Sequence, residues 1–122
     1  MTTMNITINI RTLKVTEHAY RDRWDRITDC IQTLGGIGEV MLVTDSIKRK
    51  YTEDRVVQVL TSTGMVFVVN VNRNTLITAY PCRMAVASAM FNAHGYTRLP
   101  DTLYRTIDRN QRYYSRLYSQ YI

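Results

Sequence analysis

The chain has 122 residues, 45% of them hydrophobic and 21% charged, with a formal net charge of +6. That balance supports one domain spanning 1–122 with a real core, and excludes extended disorder. The basic surplus points to an acidic partner, nucleic acid first, because Lys and Arg that neutralise phosphates release counterions.

The N-terminal "NITINI" (5–10) alternates polar and apolar residues and reads as a strand. Leu13 and Val15 shift that phase by one, which predicts a break near Arg11 and Thr12. Thr16 then suits a helix N-cap, with Glu17 in the first turn. Tyr20, Trp24, Ile27, Ile31 and Leu34 recur at spacings of four and three and make one apolar helix face, which "GGIG" (35–38) ends. Four strand signals follow: "EVMLVT" (39–44), "RVVQVLTS" (55–62), "MVFVVNV" (65–71) and "TLITAY" (75–80). The charged "DSIKRKYTEDR" between the first two reads as an exposed hairpin loop or strand extension. After Pro81, "MAVASAMFNAHG" (84–95) predicts a short helix closed by Gly95, and Pro100 leads into a final helix over about 102–120. The expected class is α+β: an N-terminal strand and helix, a four-stranded antiparallel sheet, then C-terminal helices.

Cys30 and Cys82 form no CxxC pair and sit in no His/Cys cluster, so neither a zinc site nor any other metal or cofactor is expected, and reduced thiols are favoured over a disulfide. No segment approaches the ~20 apolar residues of a membrane span. The N-terminus lacks the apolar run of a signal peptide, so a cytoplasmic protein is expected.

Two stretches carry candidate chemistry. On "TLITAY", Leu76, Thr78 and Tyr80 share one strand face, which sets two hydroxyls side by side near the strand's end. In "TEHAYRDRWDRI" (16–27), His18 falls at the helix start. The positive dipole end there favours the neutral imidazole that a base must be, and the exposed N–H groups attract phosphate. At about 100° per residue His18 lies opposite the apolar face once fully helical, so it reaches the sheet only from the entry turn; Arg23 flanks that face and is better placed.

"EHA" opening a helix with arginines along it, followed by a meander ending in "NTLITAYP", resembles the barnase–EndoU–colicin–RelE superfamily of small ribonucleases and toxins, over about residues 14–81. The resemblance implies a nuclease-like core at 1–81 with a C-terminal helical extension at 82–122. It implies metal-independent cleavage of RNA, tRNA or mRNA, by attack of the 2′-hydroxyl on the adjacent phosphate. Such chemistry needs a base, cations for the developing charge, and an acid for the leaving oxygen. It would use His18 as base or acid, Arg21, Arg23 or Arg26 as the phosphate clamp, and Thr78 and Tyr80 to position or donate. A bacterial toxin or phage-encoded effector of this kind would have an antitoxin or immunity protein as partner.

Elsewhere, "IKRKY" sets Lys48, Arg49 and Lys50 in a compact basic patch, suited either to phosphates or to blocking edge-to-edge aggregation. Arg105, Arg109, Arg112 and Arg116 recur at helical spacing and predict one cationic stripe for RNA or an acidic host protein. Leu103, Ile107, Tyr114, Leu117, Tyr118 and Tyr121 make the opposite side, which packs on the sheet or on a second subunit of a homodimer. His94, before Gly95, suits a helix C-terminus rather than catalysis. The rival to the nuclease reading is a non-catalytic protein that uses the same basic surface to bind nucleic acid or a host protein.

Overall fold

The computed structural model describes residues 14–15, 24–45 and 54–119. The elements run β1 (Lys14–Val15), α1 (Trp24–Thr33), β2 (Val40–Asp45), β3 (Val56–Thr61), β4 (Met65–Asn70), β5 (Thr75–Pro81), α2 (Met84–Ala93), α3 (Asp101–Tyr113) and α4 (Ser115–Ser119). Strands β2 to β5 form an antiparallel meander, and β1 adds a parallel strand beyond β5, giving the order β1-β5-β4-β3-β2. The class is α+β. The strand at 5–10, the break near residue 11 and the helix start around residue 16 lie outside the described residues.

Period-two alternation in β3 and β4 buries both sides of the sheet, so each needs its own cover. One face carries Val57, Val59, Met65, Phe67, Val69, Leu76 and Ala79. The apolar stripe of α1 (Ile27, Cys30), continued by Leu34 just past its end, packs there, joined by Leu117 and Tyr118 of α4. The other face carries Leu60 and Val66, covered by Ala87, Met90 and Phe91 of α2 and by Leu103 and Ile107 of α3. Residues 82–119 therefore supply part of both core clusters.

Two features depart from the periodic pattern. In β5, Leu76 pairs with Val69 while Thr78 pairs with Val68, so Ile77 is an extra residue in a bulge. The bulge turns Leu76 toward the α1 side, whereas Tyr80 packs among the α2/α3 cluster. Leu76 and Tyr80 thus point to opposite faces, contrary to simple alternation. The expected single helix over 102–120 is two helices, broken at Tyr114 (φ −126°, ψ 35°). The break takes the chain past the β3–β4 turn: α3 lies on one face of the sheet and α4 on the other.

That passage is fixed by Asn110, fully buried, whose Nδ2 donates to the Thr63 carbonyl at 3.0 Å. Gly64 sits beneath it with φ +86°, and a Cβ there would come within 2.8 Å of Asn110 Nδ2. The Gln111 side chain accepts from the Met84 N–H at 2.6 Å and so caps α2 from outside, where Arg83 offers no side-chain cap. Cys30 and Cys82 are both free and buried, one in each cluster. No helix among the described residues is long and apolar enough to cross a membrane.

Candidate functional site

The candidate site lies on the sheet face that α2 and α3 cover only in part. Pairing across the sheet aligns Thr44, Gln58, Val68 and Thr78 in one row, and Leu42, Leu60, Val66 and Tyr80 in the next. The second row is apolar apart from Tyr80 and lies under α2 and α3. The first is a band rich in hydroxyl and amide groups, its members half-buried. Gln58 Nε2 donates to the Tyr80 hydroxyl at 3.0 Å, across the intervening β4. A phenol oxygen that accepts a hydrogen bond still carries its own O–H, the group a donor role would use. Burial, and then the neighbouring Cys82 thiol, raise the Tyr80 pKa above its ordinary 10, so the hydroxyl keeps its proton at neutral pH, while the Gln58 bond opposes the shift.

The expected catalytic set is only partly brought together. Thr78 and Tyr80 share this face, as expected, and Gln58 joins them. Sequence spacing gave no sign of Gln58, because its partner is two strands away. Arg26 is excluded from the group: α1 packs on the opposite face of the sheet, and Arg26 is exposed on it. The apolar stripe that docks α1 leaves Arg26 pointing to solvent, with the whole sheet between it and Tyr80. His18, Arg21 and Arg23 lie outside the described residues, as do Lys48, Arg49 and Lys50.

The cationic stripe is real but shorter than its sequence. Leu103, Ile107 and Asn110 set the buried side of α3, which leaves Arg105, Arg109 and Arg112 on the outward side at helical spacing. Among the described residues, Arg105 and Arg109 have no carboxylate partner. Arg112 is paired with Asp108 one turn earlier, Nε to Oδ2 at 3.3 Å. Arg116 leaves the stripe: the break at Tyr114 carries it to the other side of the sheet, where it binds Asp29 of α1 at 3.1 Å. Tyr104 and Tyr113 flank the stripe, 52% and 74% exposed, rather than packing on the sheet as Leu117 and Tyr118 do. Because α3 packs on the Leu60/Val66 face, the arginines and the Gln58–Tyr80 pair lie on the same side of the sheet.

The C-terminus of α2 was expected to end at Gly95, and it does so in a Schellman motif. The Gly95 N–H donates to Asn92 O and the Tyr96 N–H to Phe91 O, both at 3.0 Å, with Gly95 at φ +87°. His94 is the C-cap residue, as expected. Among the described residues, no group of three His, Cys, Asp or Glu side chains converges on a metal-sized site.

Fold and site together define an α+β protein with helices on both faces of a meander, the outward arginines of α3 lying on the same side of the sheet as the Gln58–Tyr80 pair. Comparison of the chain with models of known protein families, with curated proteins and with solved structures finds no match.

Proposed function

We propose that this protein acts on RNA, cleaving it by attack of a ribose 2′-hydroxyl on the neighbouring phosphate at the α2/α3 face of the sheet. The observation that carries the reading is the placement of the Gln58–Tyr80 pair and the Arg105 and Arg109 cations on one side of the sheet. In the reaction a bond forms from the 2′-oxygen to phosphorus and the bond to the 5′-oxygen breaks. The 2′-proton passes to a base, and a proton is returned to the leaving 5′-oxygen. Tyr80, held protonated, is the donor to that oxygen or to the phosphorane. His18 takes the role of base by resemblance to the barnase–EndoU–colicin–RelE superfamily, and the α3 arginines hold the backbone. A cytoplasmic effector of the bacterial toxin or phage-encoded kind fits this chemistry.

A second reading, binding RNA without cleaving it, is favoured by the position of Arg26. The cation the resemblance would use as a clamp lies across the sheet from Tyr80.

Pure protein incubated with total RNA in EDTA distinguishes the two. Cleavage predicts new fragments ending in 2′,3′-cyclic phosphate, reduced about 100-fold by Tyr80→Phe, which removes only the hydroxyl. His18→Ala, run alongside, tests the base. Intact RNA across a broad panel of substrates would leave the binding reading in place of the nuclease.

A further inference from the structure

We infer that two copies of this chain join through β2, each laying its edge strand antiparallel to the other's. The inference stands apart from the RNA reading above and is tested without RNA.

β2 ends the sheet order, with β3 on one side and no strand on the other among the described residues. A strand in that position presents a row of unpaired N–H and C=O groups, and another strand is what satisfies them. Edges that stay single are blunted by lysine, proline or a covering element. Val40–Thr44, "VMLVT", contains no charge and no proline. Val40 and Met41 are 43% and 37% exposed, beside a β3 that is almost wholly buried. The edge is therefore apolar as well as open.

The apolar surface continues past the strand. Met41 is the extra residue of a bulge against β3, and Leu42–Asp45 then run in regular register. Leu42 packs on the Leu60/Val66 cluster, and Met41 lines a cleft with Phe91, Tyr96 and Leu99, so both lie on the α2/α3 side. Tyr96 is 56% exposed there.

Symmetry and charge identify the occupant as a second copy. Antiparallel pairing of two identical edges is closed by a two-fold axis perpendicular to the sheet, which sets the α2/α3 sides of both copies the same way up. Met41 and Tyr96 of each copy then flank the seam on one side of the joined sheet. The same pairing brings the start of one strand to the end of the other. Glu39, exposed and without an ion pair among the described residues, precedes the strand. At the far end Arg55 holds Asp45, Nε to Oδ1 at 2.8 Å. A guanidinium has donors for two carboxylates, so Glu39 of each copy meets a cation of the other. Parallel addition would set Glu39 against Glu39 instead. The charges lining the cleft, Arg98 and Asp101, are also of both signs. A net charge of +6 opposes self-association elsewhere, and this edge is where the signs balance.

The test is the mass of the full chain, freed of nucleic acid, by sedimentation velocity over a wide range of concentration. It should rise from one chain to two, and amide exchange within Leu42–Thr44 should slow as the dimer forms while the central β4 is unaffected. Met41→Lys sets a charge on each side of the seam at a surface position and raises the dissociation constant about a hundredfold, with the circular dichroism spectrum retained. Val40→Lys, at the more exposed neighbouring position, gives the same result by an independent change. Glu39→Lys weakens the dimer about tenfold. Tyr113→Lys, on the outward side of α3, leaves it unchanged. A chain that stays single at every concentration overturns the inference. So does a dimer that survives both Met41→Lys and Val40→Lys, that Tyr113→Lys dissolves, or that leaves exchange in β2 unaltered.

Discussion

Four arginines at helical spacing should behave alike if they formed one stripe, and the structure predicts that they do not. Arg105 and Arg109 face outward on α3 without a carboxylate partner among the described residues, Arg112 shares its charge with Asp108, and Arg116 pairs with Asp29 of α1 on the far side of the sheet. For single strands, each phosphate contact contributes about 0.7 to the slope of log K against log salt. Replacing both Arg105 and Arg109 by Gln, which preserves helix propensity, removes about 1.4 from that slope. At ~0.1 M monovalent salt this is about a 25-fold loss of affinity. Asp108→Asn works the other way: it releases Arg112 and adds up to about 0.7 to the slope, roughly a fivefold gain. Arg116→Gln leaves the slope unchanged, because its guanidinium is on the wrong side of the sheet. The assay is fluorescence anisotropy of a labelled single-stranded oligonucleotide at several salt concentrations, with a 2′-deoxy backbone so that the 2′-hydroxyl cannot attack. An unchanged slope in the Arg105/Arg109 variant, or an equal fall in Arg116→Gln, would mean that α3 does not hold the backbone.

Other consequences concern the scaffold. Gly64→Ala places a Cβ in a left-handed conformation and against Asn110, so it should cost about 2–3 kcal/mol, from the strain and the weakened bond to Thr63. Thermal unfolding should show a fall in Tm of about 10 °C; an unchanged Tm would mean that the α3 docking yields freely. Ile107, fully buried under α3, should lose about 3 kcal/mol on truncation to Ala, read as a lower urea midpoint at constant m. Burial pushes both thiols up to about 12, with Asp29 adding to the effect at Cys30, so both should resist thiol reagents at pH 8 until the protein unfolds. The folded state holds protons that the unfolded thiols release from about pH 9, so stability falls as pH rises from about 9 toward 12. A folded protein that is alkylated rapidly at pH 8 would contradict this.

How much of this was legible in the residues differs by feature. The meander was, because "RVVQVLTS" and "MVFVVNV" are near-continuous runs of β-branched and apolar residues and Gly64 and "NRN" mark the turns between strands. The ends of α2 were equally plain from Pro81 and Gly95. The bulge at Ile77 was not, since "TLITAY" contains no glycine, and only the pairing with Val68 and Val69 reveals the extra residue. The break at Tyr114 was hidden for a related reason: arginines and tyrosines keep helical spacing straight through it, without a glycine or proline. It is made by tertiary contacts, the buried Asn110 at the β3–β4 turn and the packing of Leu117 and Tyr118 on the far face. The same limit applied to the site. Thr78 and Tyr80 are neighbours in sequence and could be named together, but Gln58 joins them across the sheet. Arg26 is separated from them by a layer of structure that no helical period records.

If RNA meets this protein on the α2/α3 side of the sheet, NMR mapping with a non-cleavable single-stranded oligonucleotide should show shifts at the Gln58 side-chain amide, around Tyr80 and along Arg105–Arg112, with α1 residues such as Asp25 and Arg26 unmoved. Shifts gathered on α1, or none at saturating oligonucleotide, would contradict it.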